Sequence, residues 1–270
     1  MTHPDRDAPI GVFDSGLGGL TVVHALLERL PTESLVYVGD TARVPYGPKS
    51  PDTVRRYASQ IADFLVEQGV KAIVVACNTA TAHALDALRQ TVSVPVIGVI
   101  EPGARAAAHT TRGGPVGVIG TAGTIASGAY ERAIHAENPS IDVRAVACPL
   151  FVPLVEEGWV EHPATRLIAH EYLASLLEAH IDTLVLGCTH YPLLAATLQA
   201  EVGADVRLID SAAETAIETS RVLAERGLLC AATYAPTHRF IASDAPDRFL
   251  SLGRRFLGST IADVEHITFA

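Results

Sequence analysis

Residues 74–81 read VVACNTAT, and residues 184–191 read LVLGCTHY. Each is an apolar run that stops at a single cysteine and passes into small hydroxyl or amide residues. A continuous apolar run, rather than an alternating one, marks a strand covered on both faces. Asn78-Thr79 and Thr189-His190 suit the start of a following helix. Working outward, Val/Ile/Leu-rich runs predict strands near 9–14, 34–39, 71–76, 94–99, 115–120, 141–147, 182–187, 205–209 and 237–242. Helix-like stretches lie between them, among them 53–67, 81–90, 126–136, 165–179 and 212–226. This alternation implies an α/β protein with mostly parallel sheets.

The pattern echoes itself. Residues 11–16, GVFDSG, open a strand–turn–helix unit, and residues 117–123, GVIGTAG, open another. A strand ending in cysteine follows each, at Cys77 and at Cys188. The chain has 270 residues and is 49% hydrophobic, enough for two compact domains at roughly 100–200 residues each. The expected architecture is therefore two pseudo-symmetric α/β domains with the active site in the cleft between them. Residues 1–98 plus 212–270 would form the first domain, discontinuous in sequence, and residues 99–211 the second.

The net charge of -10 and the absence of any basic run exclude a nucleic-acid partner, because phosphate binding needs clustered Lys and Arg. Met1–Asp7 is short, polar and mixed in charge, with no apolar signal core. No stretch approaches the ~20 apolar residues that cross a bilayer, so a membrane partner is not expected and the expected compartment is the cytoplasm. The four cysteines, Cys77, Cys148, Cys188 and Cys230, are too widely spaced for a disulfide framework.

In open α/β sheets ligands sit beyond the carboxyl ends of the strands, where Cys77 and Cys188 fall. A helix N-terminus there would favour an anion and lower a thiol's pKa from about 8.5. If the halves are related by a pseudo-two-fold axis, the thiols face each other across the cleft. Matched acid/bases on opposite sides of one atom are what inversion of a carbon stereocentre requires: a thiolate removes a proton from one face, and a thiol returns one to the other. The plainer alternative is that both are small buried residues at strand ends, which is how Cys148 and Cys230 are read.

The turn at residues 14–20, DSGLGGL, contains G-x-G-G. It lacks both the dinucleotide spacing and the Gly-Lys-Ser/Thr of a P-loop. A backbone-amide nest for a carboxylate fits better, with Asp14 either a helix cap or a functional group. His190 is either an ordinary histidine or a proton partner of Cys188. No C-x-x-C or H-x-x-x-H occurs at zinc spacing, so no metal is expected. Only two lysines exist. Lys49 lies in a Pro/Gly-rich loop and Lys71 precedes a strand, so neither suits a pyridoxal Schiff base, and no cofactor is expected. The loop VPYGPKS, 44–50, is either a mobile rim or an ordinary turn.

Six motifs taken together, GVFDSGLGGLTVV, VYVGDTARVPYG, VVACNTATA, GVIGTAGT, CPLFVPLVEEG and VLGCTHYPLL, resemble the glutamate racemase family of the aspartate/glutamate racemase superfamily. The resemblance runs from about Ile10 to Ser211, and DRFLSLGRRFLG is similar to the family's ending. It implies a cofactor-independent two-base racemase serving peptidoglycan synthesis. Cys77 would act on D-glutamate and Cys188 on L-glutamate, Asp14 assisting the first and His190 and Glu156 the second. Asp14, Ser15, Tyr46, Gly47, Asn78, Thr79, Thr121, Thr189 and His190 match positions that hold the substrate. Asp40 is a weaker match, and orders the loop 41–48 or contacts the substrate. The resemblance also implies a homodimer, although no apolar interface is legible. Aspartate racemase, a thiol redox protein and an amino-acid-binding module stand as alternatives.

Overall fold

The computed structural model describes residues 5–231 and 235–269. Met1–Pro4, at the head of the polar N-terminal stretch, lie outside the described residues, as do residues 232–234 and Ala270. The strands are β1 (Ile10–Asp14), β2 (Leu35–Gly39), β3 (Ala72–Val75), β4 (Val96–Gly98), β5 (Val116–Gly120), β6 (Val143–Ala147), β7 (Thr183–Gly187), β8 (Arg207–Asp210), β9 (His238–Ala242) and β10 (Glu265–His266). The helices are α1 (Leu20–Arg29), α2 (Pro51–Glu67), α3 (Asn78–Thr91), α4 (Ile100–Thr110), α5 (Ala122–Ala126), α6 (Ala129–Glu137), α7 (Phe151–Glu156), α8 (Pro163–Glu178), α9 (Ala195–Val202), α10 (Ser211–Glu225) and α11 (Pro246–Leu257). The nine expected strands all form, with ends shifted by one or two residues.

Two parallel sheets result, ordered β10-β9-β2-β1-β3-β4 and β6-β5-β7-β8. The second repeats the β2-β1-β3-β4 core of the first, strand for strand, which is the structural form of the sequence echo. The central strands are buried along their whole length, as their unbroken apolar runs require. The edge strand β6 is half-exposed, and its Arg144 faces solvent.

One apolar cluster packs β1, β3, α1 and α11 together with β5, β7, α4 and α10, so the two sheets share a common base. Two further clusters cover the outer faces, one under α2 and α3 and the other under α8 and α9.

Local chemistry sets several helix starts. Ser50 caps α2 with Pro51 at its first position, Thr121 caps α5, and Asp210 caps α10. The helix expected over 126–136 is instead two, α5 and α6, because Gly128 adopts a φ of 64° between them. β10 was not expected. It is a polar pair that joins the sheet edge through the ladder to β9, aided by an Arg239–Glu265 ion pair at 2.8 Å. Among the described residues, no helix is long and apolar enough to cross a membrane.

Candidate active site

In each sheet the strand order reverses between two neighbouring central strands, β1/β3 and β5/β7. Such a switch point leaves a crevice beyond the carboxyl ends, because the connections leave on opposite faces. Asp14 ends β1 and Cys77 follows β3; Thr121 follows β5 and Cys188 follows β7. The four chemically distinctive strand ends therefore come from corresponding places.

Cys77 caps α3, its sulfur accepting from the Ala80 amide at 3.4 Å, with Ser15 Oγ 3.8 Å away. Cys188 Sγ lies 3.9 Å from His190 Nδ1, and His190 Nε2 is 3.2 Å from Glu156 Oε1 at the end of α7. Thr189 Oγ1 donates to Asp14 Oδ1 at 3.5 Å, and Thr21 Oγ1 donates to the Thr189 carbonyl at 3.2 Å. Elements of both sheets thus meet around one centre. Each cysteine is only 5% exposed, so the centre is closed.

The electrostatics of the two sides differ. Burial, and then the charge of Asp14, push the Cys77 thiol up to about 12, against the opposing Ala80 amide and Ser15 hydroxyl. This corrects the expectation that the start of α3 would lower it: loss of water outweighs one amide at 3.4 Å. Burial also acts to lower His190, but the hydrogen bonds to Cys188 and Glu156, with the charges of Cys188 and Asp14, raise it to about 10. Cys188 therefore has an imidazolium beside it, whereas Cys77 has a carboxylate nearby. Charge on Cys188 also raises Cys77, adding to the burial that keeps Cys77 a thiol.

Asp14 is fully buried, and burial raises its pKa against the pull of His190 and of the Gly19, Gly16 and Ser15 amides. The Gly16 amide donates to its Oδ2 at 3.0 Å. The nest read in DSGLGGL thus holds the carboxylate of Asp14 itself. The glycines have a second role, close approach: a Cβ on Gly18 would press on His190 and Thr189, and one on Gly19 on Asp14 and Tyr37.

On the far side Thr79, Thr121 and Thr124 join their hydroxyls in a triangle of 2.9, 3.1 and 3.1 Å. The Gly123 amide donates to Gly47 O at 2.9 Å. Tyr46 is buried, its hydroxyl donating to Asp40, which also accepts from Arg43 and Ser243. The loop 44–50 is therefore tied down at Tyr46 and Gly47, and a cavity of about 310 Å³ opens beside it, lined by Pro45, Gly47, Thr121, Val152 and Glu156 among others. Asn78 is buried in the first turn of α3, its Oδ1 accepting from Tyr130 at 2.7 Å.

The structure brings the expected catalytic and substrate-contacting residues together in this one region. Thr124, Tyr130 and Ser243 were missed. Thr124 could have been found, since it sits three residues after Thr121 in GVIGTAGT; Tyr130 and Ser243 carry no local signal. Cys148 is buried behind Cys188, and burial pushes its thiol up to about 12. Cys230 lies apart, near Asp7 and Glu33.

The family model described as Asp/Glu/Hydantoin racemase matches residues 10–219. A glutamate racemase of Geobacter metallireducens is 54% identical over 259 residues, covering 96% of each chain. The crystal structure of the glutamate racemase isoform RacE1 of Bacillus anthracis superposes with a TM-score of 0.93 at 43% identity, covering 98% of both chains. That of the Francisella tularensis glutamate racemase, solved with D-glutamate, gives 0.91 at 41% identity over 97% of this chain and 98% of that one. With the same fold, nearly full-length similarity and both cysteine strand ends in place, this chain belongs to the Asp/Glu/hydantoin racemase family.

Proposed function

We propose that the protein is a glutamate racemase that interconverts L- and D-glutamate by direct proton transfer at the α-carbon, supplying D-glutamate for peptidoglycan synthesis. The observation that carries this reading is the pair of buried cysteines at corresponding strand ends, each with its own polar partners, in a chain 54% identical to a glutamate racemase over nearly its full length.

L-Glutamate enters when the cleft opens, its carboxylates held by hydroxyls, amides and the start of α3 rather than by a lysine or arginine. Cys188, as thiolate beside the His190 cation, removes the α-proton. Negative charge develops on the carbon and its carboxylate, where preorganised donors in a water-poor site stabilise it. Cys77, kept as a thiol by burial and by Asp14, delivers its proton to the opposite face. The products are D-glutamate, a Cys188 thiol and a Cys77 thiolate. The reverse reaction starts from that state; before another L-to-D turnover the Cys188 thiol releases its proton and Cys77 regains one when the cleft opens to water, the nearby Asp14 charge favouring the Cys77 thiol. No redox change and no external group enters the balance.

The discontinuous division, residues 1–98 plus 212–270 and residues 99–211, is supported by sheet membership and gives the two sides freedom to part for substrate exchange. Family membership supports a homodimer, which sedimentation of the purified protein would test, and a cytoplasmic site of action.

The deciding experiment incubates the purified protein, with no added cofactor, with L-glutamate or L-aspartate in deuterated water. Loss of optical rotation with deuterium at Cα is expected for glutamate. Preference for aspartate would assign the other racemase, and binding without deuterium entry would leave an amino-acid-binding module. Cys77→Ala and Cys188→Ala should each abolish racemisation; near-normal turnover in either refutes the two-base assignment.

A further inference from the structure

Asn78 is 2% exposed, and its amide nitrogen has no hydrogen-bond partner among the described residues. A buried amide N–H group left unmade costs about 1–3 kcal/mol, so a native protein retains one where something else completes it. Asn78 follows Cys77 directly, at the first position of α3. Its other end is engaged, since Oδ1 accepts from the hydroxyl of Tyr130 at 2.7 Å.

Tyr130 belongs to α6, packed against the second sheet, whereas Asn78 lies at the end of β3 in the first. The tyrosine is itself buried, at 3% exposure, with its ring against Gly187 and its hydroxyl on Asn78. A phenol has one proton to give. Here that proton goes to Asn78 Oδ1. The Tyr130–Asn78 bond is thereby directed, and Asn78 must present its NH2 group on the other side. With the amide reversed, a carbonyl oxygen would face an anionic substrate.

We propose that Tyr130 is a positioning residue that fixes the orientation of the Asn78 amide, so that its free N–H groups meet a carboxylate of the bound amino acid. This rests on the racemase reading above. Because Tyr130 and Asn78 come from opposite sides of the cleft, the bond also makes the amide's orientation depend on the closed arrangement.

Tyr130→Phe removes one oxygen and keeps the ring. The loss falls on substrate binding common to ground and transition states, so KM rises and kcat stays within a few-fold. The expected rise is about tenfold for a weakened bond to a charged group. Since the equilibrium constant between enantiomers is one, kcat/KM must fall by the same factor in both directions. In an Asn78→Ala background, Tyr130→Phe should add nothing further, because the tyrosine acts through Asn78. An unchanged KM in Tyr130→Phe, or a KM effect that adds in full to that of Asn78→Ala, overturns the proposal; a lowered melting temperature with unchanged KM would assign the tyrosine to packing alone. Should Tyr130→Phe fold poorly, Asn78→Ala keeps the proposal testable, because an unchanged glutamate KM in that variant overturns it. Wild-type protein assayed in parallel separates the two readings: no racemisation by wild type overturns both, whereas normal wild-type turnover with an unaffected Tyr130→Phe overturns this one only.

Discussion

Gly18→Ala is a one-carbon change whose consequence can be worked out from the site. Gly18 lies in the turn between β1 and α1 and does not adopt a positive φ, so alanine meets no backbone objection. Its Cβ, however, would stand 2.5 Å from His190 Nδ1 and 2.7 Å from His190 Cε1, and would also press on Thr189 Oγ1. Ordinary contact between such atoms is about 3.5 Å, so the turn and the Cys188–His190 segment must separate by roughly 1 Å. A displacement of that size at reacting groups costs about 10²-fold in rate. Accommodating the extra carbon costs about 1–3 kcal/mol of stability if the site relaxes only in part. The assay is the initial rate of L-to-D conversion followed by circular dichroism, with a thermal melt on the same sample. The expected result is a folded protein, melting several degrees lower, with kcat reduced about 10²-fold. A folded Gly18→Ala whose kcat/KM stayed within threefold of wild type would refute the claim that this turn sets the position of His190.

Three further predictions follow from the same geometry. His190 is raised from 6.5 to about 10, so its stabilising contribution is complete below pH 6.5 and is lost as pH climbs toward 10; Glu156→Gln replaces a charged acceptor with a neutral one and should start that alkaline decline at lower pH, and a melting curve against pH identical to wild type would contradict the pairing. Lys71 is wholly buried, pairs with buried Glu33 and donates to the Arg6 carbonyl. Lys71→Met should therefore lose about 3–5 kcal/mol in denaturant titration while turnover per folded molecule holds; turnover lost with full stability would reopen a lysine-dependent chemistry. Asp40→Asn weakens the hold on Arg43, Tyr46 and Ser243; glutamate KM should rise by roughly tenfold and iodoacetamide should reach Cys77 faster, and unchanged values of both would free Asp40 from any part in ordering the loop.

Much of this architecture is legible in the sequence. The nine strands could be read because parallel strands buried on both faces are written as unbroken runs such as IGVFD and AIVV. Cys77 and Cys188 stood out because a lone thiol between an apolar run and hydroxyl or amide residues is a local pattern, and the motif resemblance extended it to Ser15, Tyr46, Gly47 and Glu156. β10 was invisible because a two-residue polar strand has no period; only the waiting edge of β9 makes it a strand. The break at Gly128 depended on one backbone angle.

What the sequence by itself determined was the set of covered strands and the reactive residues at their ends, since both follow from short-range patterns of polarity. What only the tertiary structure decided was which groups face one another and how dry they are. The Cys77 thiol moved up rather than down because burial depends on the whole fold and outweighs a single helix-start amide. The amides of DSGLGGL turned to Asp14 itself. Tyr130, from the far half of the chain, reached Asn78. Desolvation and long-range hydrogen bonding arise only where distant segments meet, so no local stretch of sequence encodes them.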